Sequence, residues 1–334
     1  MKPKLPRLLA LTLSALLLLS LCAACTAEAD TLRTVKVSEV THSVFYAPQY
    51  VAIQLGYFEA EGLQIELTTG EGADKVMTSV VSGAVDIGFS GPEAAIYIYN
   101  EGKQDYAKVF AQVTCRDGSF LMARAPDPDF TWEKLRGAHL LPGRKGGVPY
   151  MALESVVKAQ GLVPGVDVLF DNSVQYAAMT GAFVGGTGDY VTVFEPAAST
   201  LEAEGKAHIV AAVGEWAGEI PYTAYYALGS YLEKNGDTIQ RFTNALAKAQ
   251  TWVQTHSAEE IAKAIAPAFP DADVAIMAKA IANYKAIGAY AAQPAMSAES
   301  FNRLQAVMAD AGELAQPAPW ADLADNSFAE KAVK

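Results

Sequence analysis

The chain has 334 residues, 51% of them apolar, with 37 acidic against 25 basic side chains and a formal charge of −12. That exceeds one average domain and leaves enough apolar side chain to fill two cores, so two lobes are the default expectation. With no cluster of Lys and Arg to meet phosphates, the acidic balance argues against a nucleic-acid-binding role and mainly keeps the chain soluble.

Residues 1–7 carry three cations, and residues 8–21 form an apolar run of the length of a secretory signal, shorter than the ~20 residues that span a bilayer. Leu21-Cys22-Ala23-Ala24-Cys25 resembles a bacterial lipobox, with Cys22 where that motif more often has Leu. The expectation is a signal peptide over 1–24, a lipidated Cys25 and a tether over 25–34. The alternative is an ordinary Ala-x-Ala-like cut. Losing Lys2, Lys4, Arg7 and no acid takes the charge from −12 to −15. Beyond Cys22 and Cys25 only Cys115 remains, and four histidines are scattered, so no internal disulfide and no metal or other cofactor is implied.

A strand is expected over 35–40 and a loop over 41–46. A helix then has Pro48 in its first turn and Gly56 at its stop. Residues 63–67 alternate apolar and polar as a second strand, and 75–81 read as a helix. The stretch SGAVDIGFSGPEAA is a short strand that ends at Ser90-Gly91-Pro92 and restarts as a helix. The rhythm resumes after Pro126 and Pro128, with strands at 140–141 and 166–170 and helices over 150–161 and 177–183. The segment TGDYVTVFEPAA then echoes AVDIGFSGPEAA: an Asp opens an apolar strand, and a Pro leads to Ala-Ala on a helix. A strand follows at 208–213, and another over 222–228 crosses back to the first lobe. The remainder is helical, with Asp237 and Thr238 as cap candidates, a capping box at Ser257-x-x-Glu260 and Gly312 just past a helix end. Strands alternating with helices indicate βαβ units and mostly parallel sheets.

In such sheets ligands bind beyond the carboxyl ends of the strands. The loops at 41–43, 90–91, 143–147 and 195 therefore converge on one cleft. His42 could offer a ring N–H, or be a solvated loop residue. Ser90 could donate its hydroxyl or cap the next helix, beside Gly91. Glu195 is expected to pair with a ligand N–H, with Arg144 or with water, because a buried lone carboxylate is costly. Gly143 to Gly147, with Arg144 and Gly146, could hold an anion, but lacks the Gly-Lys-Ser/Thr of a nucleotide loop. Arg116 and Asp117 precede the crossover, where they could pair with each other. Tyr46, Tyr176, Trp216 and Tyr222, along with Tyr150 and Tyr225, could stack on a flat ligand or be core. Ser43 joins the set from the first loop.

Tyr46-Ala-Pro-Gln-Tyr-Val-Ala-Ile-Gln-Leu-Gly56-Tyr57-Phe58, then Glu61-Gly62-Leu63, Ser82-Gly83 with Asp86 to Gly88, and Phe194-Glu195-Pro196 resemble the solute-binding proteins of ABC importers. That family includes nitrate, taurine, alkanesulfonate and thiamin-precursor binders. The resemblance covers nearly all of the chain beyond the export segment. It implies a two-lobed α/β fold of the type II periplasmic-binding-protein kind: mostly parallel sheets flanked by helices and joined by two crossovers. The lobes are expected over 35–121 with 225–334, and over 122–224. It also implies a monomer, anchored outside the cytoplasmic membrane, that hands a small molecule to a permease and its ATPase. Glu195 and the aromatic supply suit a heteroaromatic such as a pyrimidine thiamin precursor; the alternative is a sulfonate, taurine or nitrate-type anion. No Gly-x-Ser-x-Gly and no Cys–His pair appears, which speaks against a related enzyme.

Overall fold

A computed structural model of the chain describes residues 32–332, the side chain of Tyr176 apart. The export segment and Cys25 lie outside the described residues. Among the described residues, ten strands form two five-stranded sheets. The first holds β1 (Arg33–Glu39), β2 (Leu63–Thr69), β3 (Ile87–Ser90), β4 (Ala107–Thr114) and β10 (Thr223–Leu228) in the order β2-β1-β3-β10-β4. The second holds β5 (Ser119–Ala123), β6 (His139–Leu141), β7 (Leu169–Phe170), β8 (Tyr190–Phe194) and β9 (His208–Ala212) in the order β7-β6-β8-β5-β9. Each sheet thus takes its fourth strand from the crossing segments, β10 in one and β5 in the other. These two run antiparallel to both neighbours, while β1 with β3 and β6 with β7 and β8 are parallel. Both lobes are therefore α/β with mixed sheets.

The sequence echo is a structural one. Asp86 accepts the Lys36 N–H at 2.8 Å through its side chain and donates its own N–H to the Lys36 carbonyl at 2.9 Å. Asp189 makes the same reciprocal pair with His139, at 2.8 and 2.6 Å. In each lobe one carboxylate closes the ladder where the third strand of the unit meets the first, satisfying a backbone donor at the sheet's end.

Several elements differ from the sequence expectation for physical reasons. β4 was not anticipated; all but one of its residues are buried, so it shows no alternation. β7 is shorter than 166–170, because Gly165 donates to the Val168 carbonyl at 2.8 Å, and the resulting turn leaves Val166 82% exposed. The helix Gly236–Thr255 is preceded by Asn235 without a side-chain cap, and Asp237 instead pairs with Arg241. The capping box at Ser257 and Glu260 is present, with both reciprocal bonds.

One contiguous apolar cluster runs through both lobes, and a second, around Trp132, Leu140, Leu153 and Val156, backs the second sheet. The lobes meet at aromatic rings. Phe45 stacks on Tyr284 at 4.4 Å between centroids and lies near Tyr222 at 5.6 Å and Phe194 at 6.2 Å. Beside it the crossing segments pair, Tyr222 N–H to the Thr114 carbonyl and Ile220 N–H to that of Cys115, each at 3.0 Å.

Candidate functional site

At the end of β1 the buried Glu39 organises the first loop. Its carboxylate accepts from Gln49 Nε2 at 2.7 Å, Tyr50 Oη at 2.6 Å and Thr69 Oγ1 at 3.2 Å, and it faces His42 Nδ1 at 2.9 Å. His42 Nε2 lies 2.8 Å from the Ala268 carbonyl, which only accepts, so that nitrogen carries a proton. Both ring nitrogens are spent within the protein, so His42 fixes the loop rather than presenting a free N–H. Burial first, then the Glu39 carboxylate, raises the Tyr50 hydroxyl far above the ordinary phenol range. Ser43 caps the following 3-10 turn, accepting from Phe45 N–H at 3.2 Å. Tyr46 is buried against Phe89, 4.7 Å between centroids.

Two strand-end residues are engaged within the protein. Ser90 is fully buried, and its hydroxyl bonds the Tyr226 hydroxyl at 2.7 Å, tying β3 to the crossing strand β10. The helix that follows has no side-chain cap from it. Glu195 is 2% exposed and accepts from Ser199 N–H at 2.8 Å, Ser199 Oγ at 2.7 Å and Asn283 Nδ2 at 2.5 Å. It joins β8 to the helices Ala197–Ala203 and Val274–Ala286 through partners within the protein, and Arg144 is not among them. Glu195→Gln should accordingly leave solute affinity within about twofold while costing about 1–3 kcal/mol of stability, since an amide N–H would face donors. Denaturant titration beside a binding isotherm checks this; a tenfold loss of affinity would restore Glu195 to the site.

The carboxylate that sequence reasoning passed over is Glu93, the first residue of the helix Glu93–Asn100. Its signal was an acid directly after Ser90-Gly91-Pro92, in the first turn after a strand end. The side chain folds back over Gly91, where a Cβ would come within 1.9 Å of Oε2. Glu93 is buried, and Oε2 has no hydrogen-bond partner among the described residues. Burial pushes its carboxyl up to about 7, opposed by its own backbone N–H and by Arg144.

Glu93 borders a cavity of about 470 Å³. The helices Ala73–Val81 and Glu93–Asn100 of the first lobe form its walls, through Met77, Val81, Ala94, Tyr97 and Ile98. Arg144 and Gly146 close it from the second lobe, at the loop that leads into the helix Val148–Ala159. Gly143 and Gly146 both sit at positive φ (96° and 81°), which lets this loop turn back on itself. Arg144 is exposed, and its guanidinium makes no hydrogen bond or ion pair among the described residues. The cavity thus joins an apolar slot to one buried carboxyl and one facing cation, brought together from both lobes.

The other expected residues lie elsewhere. Trp216 is 55% exposed and packs edge-on against Trp132 at 5.8 Å, on the second lobe's own core. Tyr176 opens the helix Tyr176–Val184. Arg116 donates to the Gly214 carbonyl at 3.3 Å rather than pairing with Asp117. Tyr222 is buried between Phe45 and Phe194.

Asp117 is fully buried in the crossing segment and accepts from Ser119 N–H at 2.8 Å and Ser119 Oγ at 2.5 Å. Burial outweighs those bonds and lifts its carboxyl to about 7. A folded-state pKa above the unfolded one means the native state binds more protons, so stability falls as pH rises from about 4 to about 7. Asp117→Asn removes this dependence, so its advantage over wild type should grow by about 1–3 kcal/mol between pH 5 and pH 8. Thermal unfolding at both pH values checks it; a pH-independent difference would contradict the buried-acid account. Cys115 is no nucleophile in this setting. Its thiol lies 3.3 Å from the Gly288 carbonyl, and burial pushes it up to about 11.

Comparisons with known proteins agree with this architecture. The family model described as "NMT1-like family" matches residues 35–266. A Bacillus subtilis (strain 168) protein named "Putative binding protein YtlA" is 43% identical over 309 residues, 92% of each chain. Among solved structures, the ligand-binding component of an ABC-type import system from Staphylococcus aureus, with zinc bound, superposes with a TM-score of 0.69. That match is 14% identical and covers 90% of this chain and 99% of the other. The alkanesulfonate-binding protein SsuA from Xanthomonas axonopodis pv. citri, bound to MOPS, gives a TM-score of 0.67 at 16% identity, covering 87% and 98%. At such identities these two structures speak for the fold alone.

Proposed function

The chain belongs to the NMT1-like family, and from that premise we propose that it is an exported solute-binding protein. It captures a small molecule between its lobes and delivers it to the permease of an ABC importer, which its ATPase drives. The observation that carries this reading is the cavity bordered by both lobes, with an unpartnered buried carboxyl from one side facing an unpaired guanidinium from the other. Ligand sites of this kind are mostly apolar, with a few polar groups that fix orientation. A related enzyme is disfavoured by the buried, unactivated Cys115. The export segment and Cys25 fit a lipid-anchored monomer on the outer face of a bacterial cytoplasmic membrane, the segment removed at 24.

We take the ligand to be a small heteroaromatic with N–H donors, of the pyrimidine thiamin-precursor class, now through Glu93 rather than Glu195. A sulfonate, taurine or nitrate-type anion is the second reading, favoured by the unpaired Arg144 on the glycine loop and by the likeness to an alkanesulfonate-binding fold. A thermal-shift screen with aminopyrimidines and with sulfonates and nitrate separates them. A solute that binds only the folded chain raises its melting temperature. The aminopyrimidines should do so; a rise with sulfonates alone would select the second reading.

A further inference from the structure

We propose that Glu93 is the residue that selects the solute: poised over Gly91 at the head of its helix, it binds an N–H donor head group, neutral or cationic, and turns a single anion away. This rests on the solute-capture reading and names the chemistry of that site. The start of the helix Glu93–Asn100 would ordinarily attract an anion, through its free N–H groups and dipole. Here that seat is filled by the chain's own carboxyl, since even a methyl at residue 91 would meet Oε2 at 1.9 Å. A ligand carboxylate or sulfonate entering there would set two negative charges side by side. A ligand N–H instead gives Oε2 the partner it lacks, and removes the cost of an unpaired buried acceptor.

The surrounding charges point the same way. Asp74, Glu101 and Lys103 also line the cavity, and Lys103 is 3.4 Å from Glu101 in an ion pair. That leaves Asp74 and Glu93 against Arg144, a negative balance that favours a donor or a cation. Glu313 adds a further acid beyond Gly146, and Tyr97 and Tyr226 are the phenols that sense Glu93. Met77, Val81, Ala94 and Ile98 supply apolar walls for a flat ring. Arg144 remains available to an acceptor at the ligand's far end.

Benzamidine and benzenesulfonate share a ring and differ in the sign of the head group, which makes them the probes of choice. Calorimetric titration of the purified protein should show benzamidine binding at least tenfold more tightly than benzenesulfonate. Glu93→Gln should weaken benzamidine tenfold or more and narrow or reverse that preference. Gly91→Ala supplies a second variant: the three atoms nearest its methyl are all in the Glu93 carboxylate, at 1.9–2.6 Å, so it displaces that group, and benzamidine binding should fall likewise. Raising the pH from 6 to 8 ionises Glu93 while benzamidine stays cationic, so wild-type affinity should rise several-fold and that of Glu93→Gln should not. Tighter benzenesulfonate binding, unchanged in Glu93→Gln, would overturn the assignment and leave solute capture standing. A wild-type protein that ignores benzamidine while other solutes raise its melting temperature would likewise sink the Glu93 assignment alone.

Discussion

Replacing Glu39 by alanine is expected to lower the unfolding free energy by about 3–5 kcal/mol, the range seen when one partner of a buried charged network is removed. The carboxylate is 1% exposed and holds Gln49, Tyr50, Thr69 and His42 at once. Gln49 in turn accepts from the Tyr225 hydroxyl at 2.7 Å, so the network reaches the crossing strand β10. Deleting Glu39 would leave two buried donors, Gln49 and Tyr50, unanswered in a low-dielectric interior, where each is costly. Glu39→Gln keeps one acceptor oxygen but turns an amide toward donors, so its loss should be intermediate. Urea unfolding followed by circular dichroism measures both. A loss below about 1 kcal/mol for the alanine variant would mean that the network is not what holds the first loop.

Phe45→Ala should cost a similar amount, about 3–5 kcal/mol, as large-to-small changes of buried aromatics do. The ring is 1% exposed and sits among Tyr46, Phe194, Tyr222 and Tyr284. It also covers Gly118, where a Cβ would come within 2.5 Å of the ring, so no side chain can fill the space from below. Because Phe194 is on β8 and Phe45 follows β1, the loss falls on the floor between the lobes as well as on one core. Phe45→Leu should recover most of the stability. Equal losses for Ala and Leu would show that ring stacking, and not filled volume, carries the effect.

Much of this fold could be read from local chemistry, because local chemistry sets it. Pro48 and Gly56 bracket a helix (Ala47–Gln54), Ser257 and Glu260 cap another, and the Asp86 and Asp189 echo marks two equivalent ladder closures. The site was less legible because its residues are decided by distant partners. Ser90 looks like a free hydroxyl until Tyr226 arrives, 136 residues later, and the bonds of Glu195 to Ser199, one turn on, are joined by Asn283, 88 residues on. Arg144 was legible because a glycine loop advertises it. Glu93 carried a visible sign, an acid in the first turn after a strand end. Its importance emerges only from what it lacks, a partner, and no sequence pattern encodes that.

The central claim, capture of one small solute, is tested most directly by native mass spectrometry. The purified protein would be measured alone and again after incubation with the small-molecule extract of its source cells. The account predicts a discrete added mass at one copy per chain, released on denaturation and diminished in Glu93→Gln. A chain that stays at its bare mass in both measurements would contradict solute capture itself.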